Sequence, residues 1–214
     1  MRRITKLGKK LNLLTSWDDG GVDDLKLAKL LRRYNLPAMF YIPTGNCQLS
    51  KKDIKFLSKS FEIGGHTINH RILRTLHPEE VYCELKDSKE ELESLTGQEI
   101  YSLCYPRGRY DKKVIETAEG IGYREARTTK VLNLFEPTNL FEIETSVHVY
   151  NRKEYGGVYW LDIAMDLFNK VIDPATNYNY FHLWGHSWEI SKFNYWEDLE
   201  ILFSYINESL LIDT

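Results

Sequence analysis

The sequence contains little cysteine, and the cysteines it has lie far apart. Its 214 residues include only Cys47, Cys83 and Cys104, with no Cys-x-x-Cys pair among them. This spacing argues against a framework of disulfides and against a zinc site built from thiolates. We expect the three thiols to be reduced and mostly buried.

Long apolar runs and an excess of positive charge are also missing. No apolar stretch approaches the ~18–20 residues that span a bilayer, and no signal-peptide hydrophobic region precedes the first charged segment. We therefore expect a protein that stays in the cytoplasm and has no membrane span. The net charge of −3 indicates no broad basic patch, so a nucleic-acid partner is not expected.

Short apolar runs alternate with segments of helical periodicity, without an internal repeat or a linker. Strands are predicted at residues 11–15, 38–42, 61–63, 101–105, 123–127, 141–144 and 180–184, and helices at residues 22–34, 52–59, 78–95, 112–120, 158–171 and 195–210. This alternation is typical of an α/β protein with a mainly parallel sheet covered by helices. About seven such units in a single domain of residues 1–214 favour a small β/α barrel over an open doubly wound sheet.

Four unusual segments follow predicted strands directly. They are residues 15–20, 65–70, 104–108 and 183–189. Because catalytic groups in both folds collect at the carboxyl ends of the strands, we expect these segments to converge on one cleft.

The first of these segments contains the adjacent carboxylates Asp18 and Asp19. They repel each other unless a cation lies close. Successive side chains that leave a strand point in different directions, so one carboxylate can bind a metal while the other faces a substrate. The alternative is a turn, because Asp-Asp-Gly also suits the start of the helix near Val22.

The second segment contains His66 and His70, four residues apart. On a helical turn this spacing places both imidazoles on one face. With Asp19 they form a set of two imidazoles and one carboxylate, which suits one divalent ion, zinc foremost, and also iron(II), cobalt, nickel or manganese. Three protein ligands leave a position open for chemistry.

The last segment contains His186, which a metal cleft could use as a general acid near neutral pH. The alternative is a hydrogen-bonded imidazole packed between Trp184 and Trp188. His77, His148 and His182 lack comparable neighbours in the sequence, and we interpret them as structural or surface residues.

Together the motifs resemble those of the polysaccharide deacetylases, the NodB-homology family or carbohydrate esterase family 4. Thr-x-x-Asp-Asp-Gly and His-Thr-x-x-His resemble its first two motifs. The Tyr-Pro-x-Gly segment, with Tyr105, Pro106 and Arg107, resembles the third, and the late segment with Trp184 and His186 resembles the fifth. The matches run from Thr15 to His186.

The resemblance implies a deformed (β/α)7 barrel and hydrolysis of an N-acetyl, sometimes O-acetyl, group. It implies that Asp19, His66 and His70 are the metal ligands, that Asp18 is the base and that His186 is the acid that protonates the leaving amine. It also implies that the Arg107 backbone N–H donates to the oxyanion, with Tyr105, Pro106 and Trp184 near the substrate.

The sequence departs from the family pattern at three places. Ser16 lengthens the first motif by one residue, or else Ser16 itself stands in the Thr position, and Cys104 stands where the third motif has an Arg that holds the base. The fourth motif, an Asp-rich segment with a Trp, is not placed by the sequence; Trp160, Leu161 and Asp162 are one candidate for it.

Arg127, at the end of its own strand, can reach across the barrel mouth. We therefore predict that it replaces the missing Arg as the partner of Asp18. The alternative is a surface Arg paired with Glu125 or Glu142, which would contribute little.

The sequence favours a metal-dependent deacetylase of an N-acetylated saccharide that is available in the cytoplasm. Two alternatives remain open. One is a hydrolase of another amide or C–N bond, because metal, base and acid do not encode a sugar. The other is a carbohydrate-binding module whose catalytic site has decayed.

Overall fold

A curled parallel sheet forms the centre of the computed structural model, which describes residues 2–6 and 9–211. Among these residues, seven parallel strands lie in the order β6-β5-β4-β3-β2-β8-β7, and β1 pairs antiparallel with the first half of β2. The strands are β1 Arg2–Lys6, β2 Lys9–Asp18, β3 Ala38–Ile42, β4 Glu62–Gly65, β5 Ser102–Cys104, β6 Glu125–Arg127, β7 Val147–His148 and β8 Tyr180–Gly185.

Helices cover the outer face of this half-barrel. They are α1 Asp24–Arg33, α2 Lys51–Ser58, α3 Pro78–Thr96, α4 Lys112–Ile121, α5 Trp160–Ile172, α6 Ser187–Phe193 and α7 Trp196–Leu211. The longer helices bury an apolar stripe, which in α1 includes Leu27, Ala28 and Leu31. No helix in the described part of the chain combines the length and apolar composition that crossing a membrane requires.

The side chains of β2 alternate between two environments, as the strand period of two requires. Trp17 packs edge-on against Phe203 of α7, in the main core between sheet and helices. Ser16 and Asp18 face the inside of the barrel, where Ser16 Oγ lies 2.8 Å from His182 Nε2. The interior is therefore polar, and it leads directly to the carboxyl ends of the strands.

The predicted strand–helix alternation and the deformed (β/α)7 barrel are confirmed. The predicted strand at residues 141–144 is wrong: Ile143 makes one isolated bridge to Arg127, and the strand of this region is β7, a few residues later. Neither β1 nor the short helix α6 was predicted from the sequence.

Candidate active site

Strand β2 ends at Asp18, and a turn begins at the next residue, Asp19. Asp18 is buried and its strand register pairs it with Tyr41 of β3. Asp19 adopts the left-handed region with φ 78°, and its N–H donates to the Tyr41 carbonyl. Gly20 continues the turn at φ 60°, where a Cβ would lie 2.7 Å from Cys47 Cβ. The turn sends the two carboxylates in different directions, as expected.

His66 and His70 lie on a loop, so the predicted helical turn is wrong. Thr67 has φ 65° and His70 has φ 53°, both in the left-handed region. The buried Glu84 of α3 anchors the loop by accepting hydrogen bonds at 2.9 Å from the N–H groups of Ile68 and Asn69 and from the Asn69 side chain. The loop, rather than a helix face, brings the two imidazoles together.

The nitrogen and oxygen atoms of Asp19, His66 and His70 have the spacing that a shared ion requires. Asp19 Oδ1 lies 3.5 Å from His66 Nε2 and 3.5 Å from His70 Nε2. Two ligand atoms bound tetrahedrally to one zinc ion are separated by about 3.4 Å. These three residues can therefore hold one divalent cation.

Two further contacts orient these side chains. His66 Nδ1 lies 2.7 Å from the Cys104 carbonyl, so Nδ1 carries a proton and Nε2 is left on the side of Asp19, where a bound ion would take its lone pair. The Trp188 indole N–H donates to Asp19 Oδ2 at 3.0 Å, leaving Oδ1 for the ion. Although burial disfavours its charge, the neighbouring His66, His186 and Trp188 lower the pKa of Asp19 well below its usual range.

Arg127 contacts Asp18 inside the barrel. Its Nη2 donates to Asp18 Oδ2, and neither side chain is exposed by more than 3%. The guanidinium also lies 2.8 Å from Cys104 Sγ and stands over the rings of Tyr41 and Trp184. The structure therefore places Arg127 where the tether hypothesis requires it, and not on the surface. Asp18 Oδ1 is buried and has no hydrogen-bond partner among the described residues.

His186 lies beside both aspartates. Its Nε2 is 4.0 Å from Asp18 Oδ2 and 3.7 Å from Asp19 Oδ2, while its Nδ1 is 2.6 Å from Glu189 Oε2. Burial opposes the charge on this imidazole, but Glu189 and Asp18 outweigh it and raise the pKa of His186. The arrangement suits a protonated imidazole that can donate from Nε2.

Glu189, rather than the segment at residues 160–162, is the carboxylate that faces His186. Trp160 is buried in the core against Tyr159 and Tyr195, and Asp162 is exposed on α5. The suggested fourth motif at these residues is therefore wrong. His148, interpreted from the sequence as a structural or surface residue, is buried, and its Nε2 lies 2.9 Å from the same Glu189 oxygen.

A cleft of about 580 Å³ opens over these groups. Its lining combines polar and aromatic side chains: Asp19, Gly21, Pro43, Asn46, Gln48, Asn69, His70, Arg107 and Trp188. Arg107 is exposed and has φ 56°. Of the aromatic residues expected near the substrate, Tyr105 instead stacks on Tyr110 and donates to the Phe141 carbonyl.

Pro106 and Trp184 are buried as well, and neither lines the cleft. Trp184 lies inside the barrel, stacked on His148. The side chains of Tyr105, Pro106 and Trp184 are thus held in packing contacts, and a contact with the substrate through them stays a prediction.

Some of the residues that were missed have a partial signal in the sequence. Asn46 and Gln48 lie in the loop after the carboxyl end of β3, so the rule that located the other segments applies to them too. Glu189 stands three residues after His186, a spacing that joins side chains at the start of a helix. Glu84 and His148 reach the site only through tertiary packing, which no local pattern records.

Comparisons with known proteins agree with this geometry. A family model described as polysaccharide deacetylase matches residues 6–126, more than half of the chain. The candidate polysaccharide deacetylase YxkH of Bacillus subtilis is 28% identical over 124 residues, 55% of this chain and 44% of YxkH. The chain thus spans less than half the length of this relative.

Two solved structures extend the comparison. The polysaccharide deacetylase BC0361 of Bacillus cereus is 28% identical, with a TM-score of 0.54 over 61% of this chain and 45% of that chain. A carbohydrate esterase family 4 pseudoenzyme of Bacillus anthracis is 15% identical, with a TM-score of 0.63 over 98% of this chain and 64% of that chain. The shared fold therefore covers nearly the whole chain.

Proposed function

Because the chain belongs to the polysaccharide deacetylase family, we propose that it is a metal-dependent hydrolase that removes the N-acetyl group from a saccharide. One observation carries the proposal. Asp19 Oδ1 and the Nε2 atoms of His66 and His70 have the spacing of ligands that share one ion, and the Asp18–Arg127 and His186–Glu189 pairs lie next to them.

Asp19, His66 and His70 would hold the ion, which we propose to be zinc. Two imidazole nitrogens and one carboxylate oxygen are a ligand set of zinc hydrolases and leave an open position. When bound, the ion supplies Lewis-acid chemistry, polarising an acyl oxygen and making water more acidic.

Asp18 is the proposed general base. Arg127 holds its Oδ2, whereas its Oδ1 has no described partner and can accept the proton of a water that attacks the acyl carbon. The tether restricts rotation of the carboxylate, so the accepting oxygen is oriented before the substrate arrives.

His186 is the proposed general acid. A new C–O bond forms as water attacks, and the C–N bond then breaks. Because an unprotonated amide nitrogen is a poor leaving group, His186 Nε2 gives its proton to that nitrogen. The products are the free amino sugar and acetic acid, which ionises to acetate. Loss of the proton from Asp18 and reprotonation of His186 return both groups to their starting states.

The lining of the cleft supports a saccharide as the substrate. The amide side chains of Asn46, Gln48 and Asn69 offer donors and acceptors for hydroxyl groups, and the half-exposed Trp188 offers an aromatic face. We propose a soluble N-acetylated saccharide that occupies this cleft.

Acetate release tests the proposal. Purified protein is incubated with N-acetylated oligosaccharides, O-acetylated sugars and a non-sugar N-acetyl amine, each with zinc and with a chelator. We expect zinc-dependent acetate from an N-acetylated sugar and none from Asp19→Ala. Release only from the non-sugar amide would replace the substrate class, and no release from any compound would contradict the function.

A further inference from the structure

His148 lies in contact with the carboxylate that faces the acid, although it lines no part of the cleft. Its Nε2 is 2.9 Å from Glu189 Oε2, the same oxygen that lies 2.6 Å from His186 Nδ1. One carboxylate oxygen thus accepts from two imidazoles. Both His148 and Glu189 are buried, so water does not compete for these hydrogen bonds.

The His148 ring is also fixed by a stack. It lies 3.8 Å from the Trp184 ring, centroid to centroid, with an angle of 7° between the planes. The Arg127 guanidinium stands over the same indole at 4.5 Å. The His148 imidazole and the Arg127 guanidinium are both too close to the indole to share one of its faces, so the Trp184 ring lies between them.

The backbone of His148 is held as well. Its N–H donates to the Tyr155 hydroxyl at 2.8 Å, and β7 pairs His148 with Trp184 of β8. Ring, backbone and partner are therefore all fixed before a substrate binds.

These contacts join the proposed acid to the proposed base. From Asp18 the path runs through Arg127 to Trp184, from there through His148 to Glu189, and so to His186. His186 Nε2 and Asp18 Oδ2, the two ends of the path, are 4.0 Å apart. The path therefore closes into a ring of contacts that includes Asp18 and His186.

We propose that His148 is a positioning residue for the general acid: it donates Nε2–H to Glu189 and so holds that carboxylate in line with His186 Nδ1. The inference rests on the proposed function, since His186 must act as an acid for its orientation to matter. His148 itself does not touch the substrate.

The charges of the three residues agree with this role. Burial lowers the pKa of His148 to about 4, against the raising effect of Glu189, so this imidazole is neutral near pH 7. Burial disfavours the charge on Glu189, but both imidazoles outweigh it and lower the pKa of Glu189 to about 2. A neutral His148 orients Glu189 by its hydrogen bond and adds no positive charge, so it does not compete with a protonated His186 for the negative charge of Glu189.

Two substitutions separate the hydrogen bond from the stack. His148→Gln keeps an N–H donor near the position of Nε2 but loses the ring. His148→Phe keeps the ring against Trp184 but loses the donor. If His148 acts through Glu189, the Gln variant should be the more active one, whereas a packing role predicts the reverse.

Two substrates then isolate the acid. Hydrolysis of an N-acetylated chito-oligosaccharide requires a proton on the leaving amine, whereas the leaving group of 4-nitrophenyl acetate departs without one. For His148→Phe we expect kcat for the saccharide to fall about 10–100-fold, the range for lost outer partners of catalytic imidazoles, with KM and ester turnover unchanged. His182→Phe, at a buried histidine that contacts Ser16 and Tyr180 instead, is the matched control and should show no such selectivity.

Turnover of the saccharide by His148→Phe that equals or exceeds that of His148→Gln would overturn the proposal. An equal loss on both substrates would do so too.

Nitrogen NMR of histidine-labelled wild type supplies a test that needs neither the variants nor turnover. It should show His148 as the neutral Nε2–H tautomer from pH 5.5 to 8, and an Nδ1–H tautomer or a charged ring would overturn the inference. Wild type that hydrolyses neither substrate contradicts the proposed function instead, while the NMR result still decides the hydrogen bond.

Discussion

Arg127 of β6 and Asp18 of β2 form a buried ion pair across the barrel, with three strands of the sheet between them. Cys104 on β5 makes this contact feasible, because a small side chain at that position leaves room for the guanidinium, 2.8 Å from its sulfur. The proposed base and its partner thus come from strands that do not pair with each other.

Arg127→Met should lower kcat while leaving the ion bound, because Asp18 loses the group that orients it. Removing one member of a buried pair also leaves an uncompensated charge, so we expect the free energy of unfolding to fall by about 3–5 kcal/mol. Acetate release, zinc content and urea denaturation measure the three effects. Arg124→Met, which removes an exposed Arg paired with Glu99, is the matched control, and equal activity of the two variants would contradict the tether.

An Arg placed at position 104 should replace the lost tether in part. Cys104 Sγ lies 3.5 Å from Asp18 Oδ2, so a longer side chain from β5 reaches the same carboxylate. We expect the double variant Cys104→Arg, Arg127→Ala to release acetate faster than Arg127→Ala alone. No recovery in a folded double variant would show that position 127 cannot be exchanged in this way.

Metal content should separate the two aspartates. His66→Ala, His70→Ala and Asp19→Ala should each lose most of the bound zinc, because an open site has only three protein ligands. Asp18→Asn should keep the ion and lose roughly 10²–10⁴ in turnover, the range for a general base. Full zinc retention by both His variants, measured by elemental analysis after gel filtration, would exclude this ligand set.

Glu84→Gln should weaken zinc binding although Glu84 lies outside the ligand set. The substitution replaces one carboxylate oxygen, which accepts, by an amide NH2 group, which donates. N–H groups of the loop between His66 and His70 then lose an acceptor, and the anchor of the loop is weakened. We expect about a 10–100-fold loss of affinity, as for other outer partners of metal ligands. Competition with a chelating dye measures it, and Glu90→Gln on the exposed face of the same helix should bind zinc like wild type.

The pH profile of kcat should depend on Glu189. If His186 is the acid, its active form is protonated, so its raised pKa extends turnover to higher pH than an ordinary imidazole would allow, and turnover falls as pH rises through that pKa. Glu189→Gln removes the negative partner and should move the alkaline limb to lower pH. Glu197→Gln, exposed on α7, is the control, and an alkaline limb that does not move in Glu189→Gln would exclude His186 as its origin.

Asp24→Asn should stabilise the metal-free protein at neutral pH. Asp24 is buried, and burial, with the charges of Asp18 and Asp19, raises its pKa to about 8 although the Ser187 hydroxyl opposes the shift. In the unfolded chain this carboxyl has a pKa near 3.9. Between about pH 3.9 and pH 8 the folded state therefore holds a proton that the unfolded state lacks, so the free energy of unfolding falls as pH rises through this range.

Asp24→Asn cannot ionise, so it should exceed wild type by up to about 4 kcal/mol at pH 7 and by less at pH 5. Urea denaturation in a chelator at both pH values gives the difference, with Asp23→Asn as the control. Parallel pH dependence of Asp24→Asn and wild type would contradict the assignment.

The order of strands and helices could be predicted from the sequence because parallel strands are buried on both faces and appear as apolar runs. β7 could not, because it has two residues and pairs only with β8 in the described chain. Helix α6 is seven residues long, too short for a period of 3.6 to be recognised.

The site also divides into residues that a local pattern reveals and features that it does not. The segments that follow predicted strands directly contain the residues that could be selected, and the structure brings these together: Asp18, Asp19, His66, His70 and His186. The helical turn expected for the two His was wrong because four-residue spacing does not reveal a left-handed backbone. Their roles in catalysis remain predictions.

Four non-glycine residues of the site adopt left-handed backbone: Asp19, Thr67, His70 and Arg107. Each such residue costs of the order of 1–3 kcal/mol where other contacts do not relieve it. Glycine at these positions would relax the chain and remove the proposed ligands Asp19 and His70 together. Selection for folding alone would therefore erode this site while leaving the barrel intact, so an inactive descendant would be easier to fold than its active ancestor.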